Sequence, residues 1–600
     1  MSPCLCGQEP MTNSKPLTQR RLTAVAFIFA LIVDVLVCLY LADQIRGVAP
    51  LPFANDEAVH ANGGLELALD LKAGDLAGFF AHTYQQAYYP PTQSWLLAPA
   101  FVLFGATETT GRMVSLVCLF VSALVLFAIG LELHETYGWL VGLLAGLLPF
   151  TSQQSLTISA MTMQEPAGFL FTTLALWLYI RGVKRLEKDH HRGTEGTKNS
   201  SEQLRDLRVS VVNPSSVYCY FVGASFALVA VALSKYLFGV YLGATFVAAR
   251  LIDARFNLKR LLTRANLALF APAGLLLGFW FLDTSKLNDF WRYANVPSLQ
   301  SDLFSLEQFM FYWRSIVVHY TASLPLGILL LAGFAYAVYR WRNPILIVIA
   351  LHIFVAIAGM TIRRTINPRF VYVAAPLIYL LGGVLVARIV EVVQRFKTQR
   401  TIGWAAFGIG AVILIVTAIP GLHDRYLSYP AMLAVQIETD PRAFDAYAWI
   451  DQNIPRDRRR ILMLNYWDAF SGEGLKWYLL SRDTTPGRRF AEVNVVPRYA
   501  WVINADSLPD FLRTLDELRL TTVIGFAGGP EGNNGAWVES QPIIGEALDF
   551  VAQGEFDMAQ WDRTLLLQLR DNTFSDLSAL AEAMQKYNYG YHVTATLYGK

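Results

Sequence analysis

Residues 22–44 read LTAVAFIFALIVDVLVCLYLADQ, and this nearly unbroken apolar run decides the fold class. As a helix it is long enough to cross the roughly 30 Å of bilayer hydrocarbon. Soon afterwards the chain presents Asn55, Asp56 and Glu57, then amphipathic sequence and an aromatic–proline cluster at 88–91. A carboxylate held at a membrane surface can act as a base. It can deprotonate a substrate that arrives from water, which then attacks a substrate that arrives from the lipid. This stretch therefore predicts a membrane protein with chemistry at its surface.

The composition extends that prediction to the whole chain. Its 600 residues are 54% hydrophobic with a mean hydropathy of +0.36, which indicates a polytopic membrane protein with a soluble part attached. The net charge of +2 gives no indication of a nucleic-acid partner. No cysteine lies beyond Cys219, so the last third of the chain does not depend on disulfides. For Cys4 and Cys6, a disordered N-terminus is the favoured interpretation over a metal site. The first span is interpreted as an uncleaved signal anchor.

Apolar runs of spanning length recur along the first 420 residues and predict about eleven transmembrane helices. They lie near 22–44, 111–131, 138–156, 165–182, 217–234, 236–252, 266–282, 316–339, 343–361, 369–388 and 402–420. The run 92–104 is too short to span as a helix and is predicted to be a juxtamembrane or re-entrant helix. Without it, all the strongly basic loops fall on one side, as the positive-inside rule requires. The N-terminus is then cytoplasmic and the Asp56–Glu57 pair faces the other side.

This topology divides the chain into two predicted domains. Residues 1–420 form a transmembrane catalytic domain, with an outer loop at 45–110 and a flexible cytoplasmic loop at 183–216. Residues 421–600 are predicted to form a soluble α/β domain outside the cytoplasm. Its strand-like runs are 461–464, 521–526 and 564–569, and its helix-like runs include 443–452 and 508–518. The localisation that follows is integral to an inner or plasma membrane, with membrane lipids as partners.

Polar residues gather on the predicted outer face of the membrane domain. Glu165 opens the fourth span beside Pro166, where a carboxylate either caps the helix or serves the chemistry. Lys235 lies in a tight outer hairpin, where it is either a snorkelling anchor or a functional cation. Arg363, Arg364 and Arg369 occupy an outer loop that should be poor in arginine. Guanidinium groups bind phosphate bidentately, so this loop favours an anionic lipid head group as ligand.

Other polar residues have two interpretations. Asp34 lies in the middle of the first span, where it is either functional or part of a buried helix–helix hydrogen bond. His60, His82 and His319 are either ligands or proton carriers, or polar packing at the interface. Carboxylates near the first and fourth spans, with cations near the sixth and tenth, suit a reaction with an anionic leaving group. Polyprenyl-phosphate sugars are the corresponding membrane-borne donors.

An ordered set of short motifs resembles the GT-C class of integral-membrane glycosyltransferases over roughly residues 20–390. The nearest branch is the bacterial one with lipid A aminoarabinose transferase, protein O-mannosyltransferases and rhizobial lipopolysaccharide sugar transferases. The motifs are Asn55-Asp56-Glu57-Ala58, Tyr88-Tyr89-Pro90-Pro91, Gly111-Arg112, Gln164-Glu165-Pro166-Ala167, Leu233-Ser234-Lys235-Tyr236 and Pro368-Arg369-Phe370-Val371-Tyr372. Each is unspecific alone, but their order and spacing match the class.

The resemblance implies a role for each matching residue. Asp56 would be the general base, or would help bind a metal and acceptor, and Glu165 matches the second acidic position. Lys235 and Arg369 match positions that contact the donor phosphate, and Arg363 and Arg364 are added from the same loop. Residues named as substrate-binding candidates are Glu57, Tyr88, Tyr89 and Arg112. Glu57 ranks below Asp56 because it could serve only as a helix cap.

The implied activity is an inverting transfer of a sugar from polyprenyl phosphate to an acceptor hydroxyl or phosphate on a lipid, glycan or protein. Some relatives use a divalent metal and others do not, so Asp56 and Glu165 would be its ligands if one is present. The chain departs from the class at Pro90, where relatives often have Lys, and at Ser234 and Tyr236, which replace Thr and Gly. Two alternatives remain: a transporter or flippase of lipid-linked glycan, and a non-catalytic relative that binds glycan.

Overall fold

The structure is a computed structural model, and it describes most of the membrane domain and parts of the C-terminal region. The described residues are 17–47, 51–196, 215–288, 305–361, 366–395, 400–430, 444, 447–448, 451–452, 460–463, 471–482, 494–497, 522–526, 551–555 and 595–599. Arg363 and Arg364 lie outside them, as do the predicted elements at 508–518 and 564–569.

The membrane domain is built from helices. In chain order they are α1 Leu17–Gly47, α2 Asn55–Ala73, α3 Leu76–Gln85, α4 Thr92–Phe104, α5 Glu108–Leu133, α6 Gly138–Leu147, α7 Gln153–Ser159, α8 Gln164–Gly196, α9 Ser215–Ala232, α10 Tyr236–Asp253, α11 Arg264–Trp280, α12 Leu306–His319, α13 Leu324–Tyr339, α14 Pro344–Met360, α15 Ile378–Arg395 and α16 Arg400–Leu427. Within the described residues, six helices are long and apolar enough to cross a membrane, and further apolar helices are shorter. The chain is an integral membrane protein, while the sidedness of its termini and the count of about eleven spans stay predictions.

Three predicted spans and one loop have different bounds in the structure. The run 138–156 is interrupted after α6 by a 3-10 turn, Leu148–Thr151, that contains Pro149. The run 316–339 is split between α12 and α13, because Ser323 caps α13 and Pro325 occupies its first turn. The run 369–388 begins as two 3-10 turns, Pro368–Val371 and Ala375–Leu377, each with a proline at its start. The predicted flexible loop 183–216 also begins as helix, because α8 continues to Gly196.

The segment between α1 and α5 forms a layer of short helices. Helix α4 has 13 residues, about 20 Å, which agrees with its prediction as a non-spanning helix. Gly74 ends α2 in the left-handed conformation, with φ of 70°. At Gly64, a Cβ atom would lie 2.4 Å from the Leu97 Cβ, so only glycine allows α2 to approach α4 this closely.

The described part of the C-terminal region contains helix α17 and a five-stranded mixed sheet. These elements are β1 Arg460–Met463, α17 Gly472–Ser481, β2 Asn494–Pro497, β3 Thr522–Phe526, β4 Val551–Glu555 and β5 Ala595–Gly599. The strand order is β2-β1-β3-β5-β4. Strand β1 pairs in parallel with β2 and β3, and β5 pairs antiparallel with β3 and β4. Strands therefore occur in the predicted runs 461–464 and 521–526, and α17 shares a hydrophobic core with α2 and α4.

Candidate functional site

The first turn of α2 presents Asp56. Ala54 precedes the helix in an extended conformation, and its N–H donates to the Glu57 carboxylate at 3.3 Å. This contact holds Glu57 inward and leaves Asp56 on another side of the helix. The Asp56 side chain is 39% exposed, so a ligand can reach it.

Arg369 lies next to Asp56, although it is 313 residues further along the chain. Its guanidinium Nη2 lies 3.3 Å from Asp56 Oδ2, and its side chain is 29% exposed. The position of Arg369 is fixed locally, because the Asn367 side chain caps the Pro368–Val371 turn and accepts the Arg369 N–H at 2.9 Å. A carboxylate and a guanidinium, both open to solvent, therefore face each other.

Lys235 and Glu165 form a second, more deeply buried pair. Lys235 is the residue directly before α10, and Glu165 lies in the first turn of α8. Their Nζ and Oε1 atoms are 3.2 Å apart, with side chains 13% and 2% exposed. The ammonium also lies 5.4 Å from the centre of the Phe238 ring and 5.5 Å from that of Phe370. Because Phe370 follows Arg369 in the chain, the two ion pairs belong to one site.

His60 is buried beside both pairs. It lies one turn after Asp56 on α2, and its ring packs edge-on against Tyr89 with 4.8 Å between ring centroids. The pKa of His60 is lowered to about 4, mainly by burial and also by the charges of Lys235 and Arg369, while the charges of Asp56 and Glu165 oppose the shift. The imidazole is therefore neutral at pH 7. The polar-packing interpretation of His60 is compatible with a place in the wall of the site.

The aromatic–proline cluster is tied to the hairpin that carries Lys235. Tyr236 donates its hydroxyl to the Ala87 carbonyl at 2.6 Å, and Thr92 donates its N–H to the Leu233 carbonyl at 2.9 Å. Trp280 in turn donates its ring N–H to the Tyr236 hydroxyl at 3.2 Å. Tyr236, a departure from the resembled class, thus fixes Tyr88 and Tyr89 next to the site. Both tyrosines are half-buried and pack against each other with 4.7 Å between centroids.

Glu57 and Arg112 form a buried pair of their own, away from solvent. Both side chains are fully buried, and two Arg112 nitrogens lie 3.1 Å from the two Glu57 oxygens. Glu57 also accepts the Thr162 N–H at 2.8 Å, and Arg112 donates to the Pro52 carbonyl at 3.2 Å. We therefore assign both residues a structural role, in place of the substrate contact suggested by the sequence. The capping role considered for Glu57 fits its contact with Ala54.

The remaining polar residues lie in other surroundings. Asp34 is buried within α1, and neither of its carboxylate oxygens has a hydrogen-bond partner among the described residues. His82 pairs with Asp70 at 2.7 Å, and His319 ends α12. Sequence reasoning missed the roles of Phe238 and Phe370, because single aromatic residues in apolar helices carry no functional signal.

The carboxylates named as metal ligands are both paired with cations, Asp56 with Arg369 and Glu165 with Lys235. Across the described ranges, no group of three or more His, Cys, Asp or Glu residues could hold a metal ion. A cationic partner on each carboxylate does not fit a divalent-metal site.

Comparisons with known proteins agree with this architecture. Residues 89–191 match the family model of dolichyl-phosphate-mannose-protein mannosyltransferases. The fold is similar to apo ArnT from Cupriavidus metallidurans, with a TM-score of 0.54 and 14% identity over 88% of this chain and 96% of that one. It is similar to the same enzyme bound to undecaprenyl phosphate, with a TM-score of 0.52 and 12% identity over 87% and 96% of the two chains.

A third similar structure is the Archaeoglobus fulgidus oligosaccharyltransferase tethered with an acceptor peptide. Its TM-score is 0.51, with 12% identity over 83% of this chain and 69% of that one. A comparison with curated protein sequences finds no match. The fold expected from the sequence is confirmed: this chain has the GT-C fold.

Proposed function

We propose that the protein is a glycosyltransferase that takes a sugar from a polyprenyl-phosphate donor and moves it to an acceptor on the extracytoplasmic face. The coarser assignment, a transferase that uses a lipid-phosphate sugar, is supported by its relatives, since ArnT binds undecaprenyl phosphate and AglB from Archaeoglobus fulgidus binds dolichol phosphate. One observation carries the finer assignment: Asp56 and Arg369, 3.3 Å apart, are both open to a ligand beside the Lys235–Glu165 pair.

In this proposal, Asp56 is the general base. It accepts the proton of the acceptor hydroxyl as that oxygen attacks the anomeric carbon from the side opposite the phosphate. The bond between the anomeric carbon and the phosphate oxygen breaks, and its electron pair leaves with polyprenyl phosphate. Because attack and departure occur on opposite faces, the anomeric configuration inverts. An acceptor that is itself a phosphate would need no proton removed.

Arg369 and Lys235 would stabilise the charge of the leaving phosphate. In the structure each is paired with a carboxylate, so the two cations and two anions balance. A donor phosphate would compete with Asp56 for the Arg369 guanidinium, which frees Asp56 to act as a base once the donor is bound. Glu165, almost fully buried, would hold Lys235 in place, and Tyr88 and Tyr89 would line the approach of the substrates.

The proposal is tested with the full-length protein in liposomes. Purified protein is incubated with a panel of undecaprenyl-phosphate sugars and with candidate lipid, glycan and peptide acceptors, and release of undecaprenyl phosphate is followed by mass spectrometry. We expect release that depends on both donor and acceptor, with inverted configuration in the product. Donor binding without release would favour the non-catalytic alternative. Movement of intact donor between leaflets without release would favour a transporter.

A further inference from the structure

The C-terminal region reaches the helix that carries the proposed base. Trp477, in the middle of α17, is 1% exposed and lies between two aromatic rings of the membrane domain. Its ring centroid is 5.0 Å from that of Phe53 and 5.4 Å from that of Phe101. Its ring N–H donates to the Glu108 carboxylate at 2.9 Å. A fully buried tryptophan with its N–H satisfied is a strong anchor, because it combines a large apolar area with one directed hydrogen bond.

A chain of contacts leads from this anchor to the first turn of α2. The Arg112 guanidinium lies 5.3 Å from the centre of the Phe53 ring that Trp477 covers. Arg112 holds Glu57, and Glu57 accepts the Ala54 N–H that opens the helix. Asp56 immediately precedes Glu57 in this turn. The residues that link Trp477 to Asp56 are each buried in close packing, so a displacement of Trp477 would displace its neighbours as well.

A second contact fixes α2 further along its length. The Asn62 side-chain amide donates to the Glu473 backbone carbonyl at 3.0 Å and to its carboxylate at 2.8 Å. Helix α17 therefore holds α2 at its start through Trp477 and near its middle through Glu473. Asp56 and His60 both lie within this stretch of α2.

From these contacts we infer that Trp477 is a positioning residue for the transfer reaction, which sets the place of Asp56 through Phe53, Arg112 and Glu57. The inference rests on the proposed function. The C-terminal region is then part of the catalytic unit, and this role does not depend on the identity of the acceptor. Trp477 does not touch the cations, so its loss should affect the base more than donor binding.

The test compares Trp477→Leu with the conservative variant Trp477→Phe and with Trp341→Leu, a half-exposed tryptophan in the α13–α14 turn. For Trp477→Leu we expect kcat to fall about 10–100-fold, because a misplacement of about 1 Å can cost 100-fold. The KM for the donor should change by less than about twofold. Trp477→Phe, which keeps the aromatic packing, should recover most of the rate, and Trp341→Leu should match the wild type.

Hydrogen exchange of the full chain gives a readout that does not need activity. In Trp477→Leu, the amides of residues 57–62 should exchange faster than in the wild type, while those of α13 and α14 should not change. If the wild type transfers no sugar, the proposed function fails. Hydrogen exchange of the α2 amides then decides by itself whether Trp477 positions the start of α2. Unchanged exchange in α2 together with unchanged kcat would overturn the inference. Faster exchange throughout the chain, or an equal loss in Trp341→Leu, would also overturn it.

Discussion

Arg369 lies 3.3 Å from Asp56 although 313 residues separate them in the chain. Both side chains are about a third exposed. An ion pair at such a site contributes only about 0–1 kcal/mol, because water screens it and two side chains lose freedom. A donor phosphate, which can take two guanidinium N–H donors at once, would therefore displace Asp56 at little cost. The weakness of this pair suits a base that must be free only when the donor is present.

Replacing Asp56 by Asn should abolish transfer while leaving the fold intact. General bases commonly contribute about 100- to 10,000-fold, and Asn cannot accept the proton at neutral pH. We expect kcat to fall by that factor in the liposome assay, with undecaprenyl-phosphate binding retained because Arg369 loses its competitor.

A matched control for this variant is Asp283→Asn. Asp283, after α11, has a side chain 38% exposed, close to the value for Asp56, and it accepts from the Ser285 hydroxyl at 2.6 Å. Its replacement should leave the rate unchanged. Full activity of Asp56→Asn would remove Asp56 from the role of base and leave Arg369 as a binding residue only.

The Lys235–Glu165 pair should respond differently, because it is buried. Lys235→Gln leaves the Glu165 carboxylate uncompensated, at a cost of about 3–5 kcal/mol. The double variant Lys235→Gln/Glu165→Gln removes both charges and should recover most of that stability. It should not recover activity, because the phosphate contact is still missing. Thermal unfolding and the KM for the donor, measured on the single and double variants, separate the two effects.

Lys184, which pairs with Glu132 at 3.3 Å near the C-terminal end of α5, provides the comparison. Its side chain is 34% exposed, so Lys184→Gln should alter neither the Tm nor the KM appreciably. Wild-type donor affinity in the Lys235→Gln/Glu165→Gln variant would show that Lys235 does not bind the phosphate.

Much of the site could be predicted from the sequence, because its polar residues stand out against apolar helices. Asp56, Glu165, Lys235 and Arg369 were each identifiable from position and residue type. Their pairing was not, since the local pattern around Asp56 contains nothing about a residue more than three hundred positions away. The hydropathy runs placed the helices but not their interruptions, which depend on single residues such as Pro149 and Ser323.

Arg112 illustrates what residue type alone cannot decide. An arginine at the start of a span is equally compatible with a lipid anchor, a substrate contact and a buried ion pair. The choice depends on whether a carboxylate faces it in the folded chain, and Glu57 does. Trp477 carries no signal in the sequence for the same reason, because its partners Phe53 and Phe101 belong to a different part of the chain.

The buried Glu57–Arg112 pair predicts a large loss of stability when one partner is removed. Arg112→Met should destabilise the protein by about 3–5 kcal/mol, because the Glu57 charge is left buried without its cation. The variant Glu57→Gln/Arg112→Met should recover part of that loss. Both are measured by thermal unfolding in detergent. Arg395→Met is the control, since Arg395 is 74% exposed in its pair with Glu391 and should matter little. Equal Tm values for Arg112→Met and Arg395→Met would contradict the structural role.

The lowered pKa of His60 should make the free energy of unfolding depend on pH. Its pKa is lowered by burial to about 4 in the folded protein, against 6.5 as its ordinary value. Between these values the unfolded chain binds a proton that the folded protein does not, so stability falls as the pH falls from about 6.5 to about 4. Below about 4 both states are protonated and no further loss arises from His60. The contribution is up to about 3 kcal/mol, because each pKa unit corresponds to about 1.4 kcal/mol.

The Tm of the wild type and of His60→Gln, measured from pH 7.5 to pH 4, tests this window. The wild type should lose more stability than the variant below pH 6.5, because Gln binds no proton. His423→Gln, which changes a histidine whose side chain is 66% exposed, should follow the wild-type curve. Parallel curves for the wild type and His60→Gln would mean that His60 takes up its proton at the same pH in the folded and unfolded chains, near its ordinary pKa of 6.5. Below that pH it would then stand as a third cation beside Lys235 and Arg369, and the balance of charge proposed for the donor-free site would hold only above it.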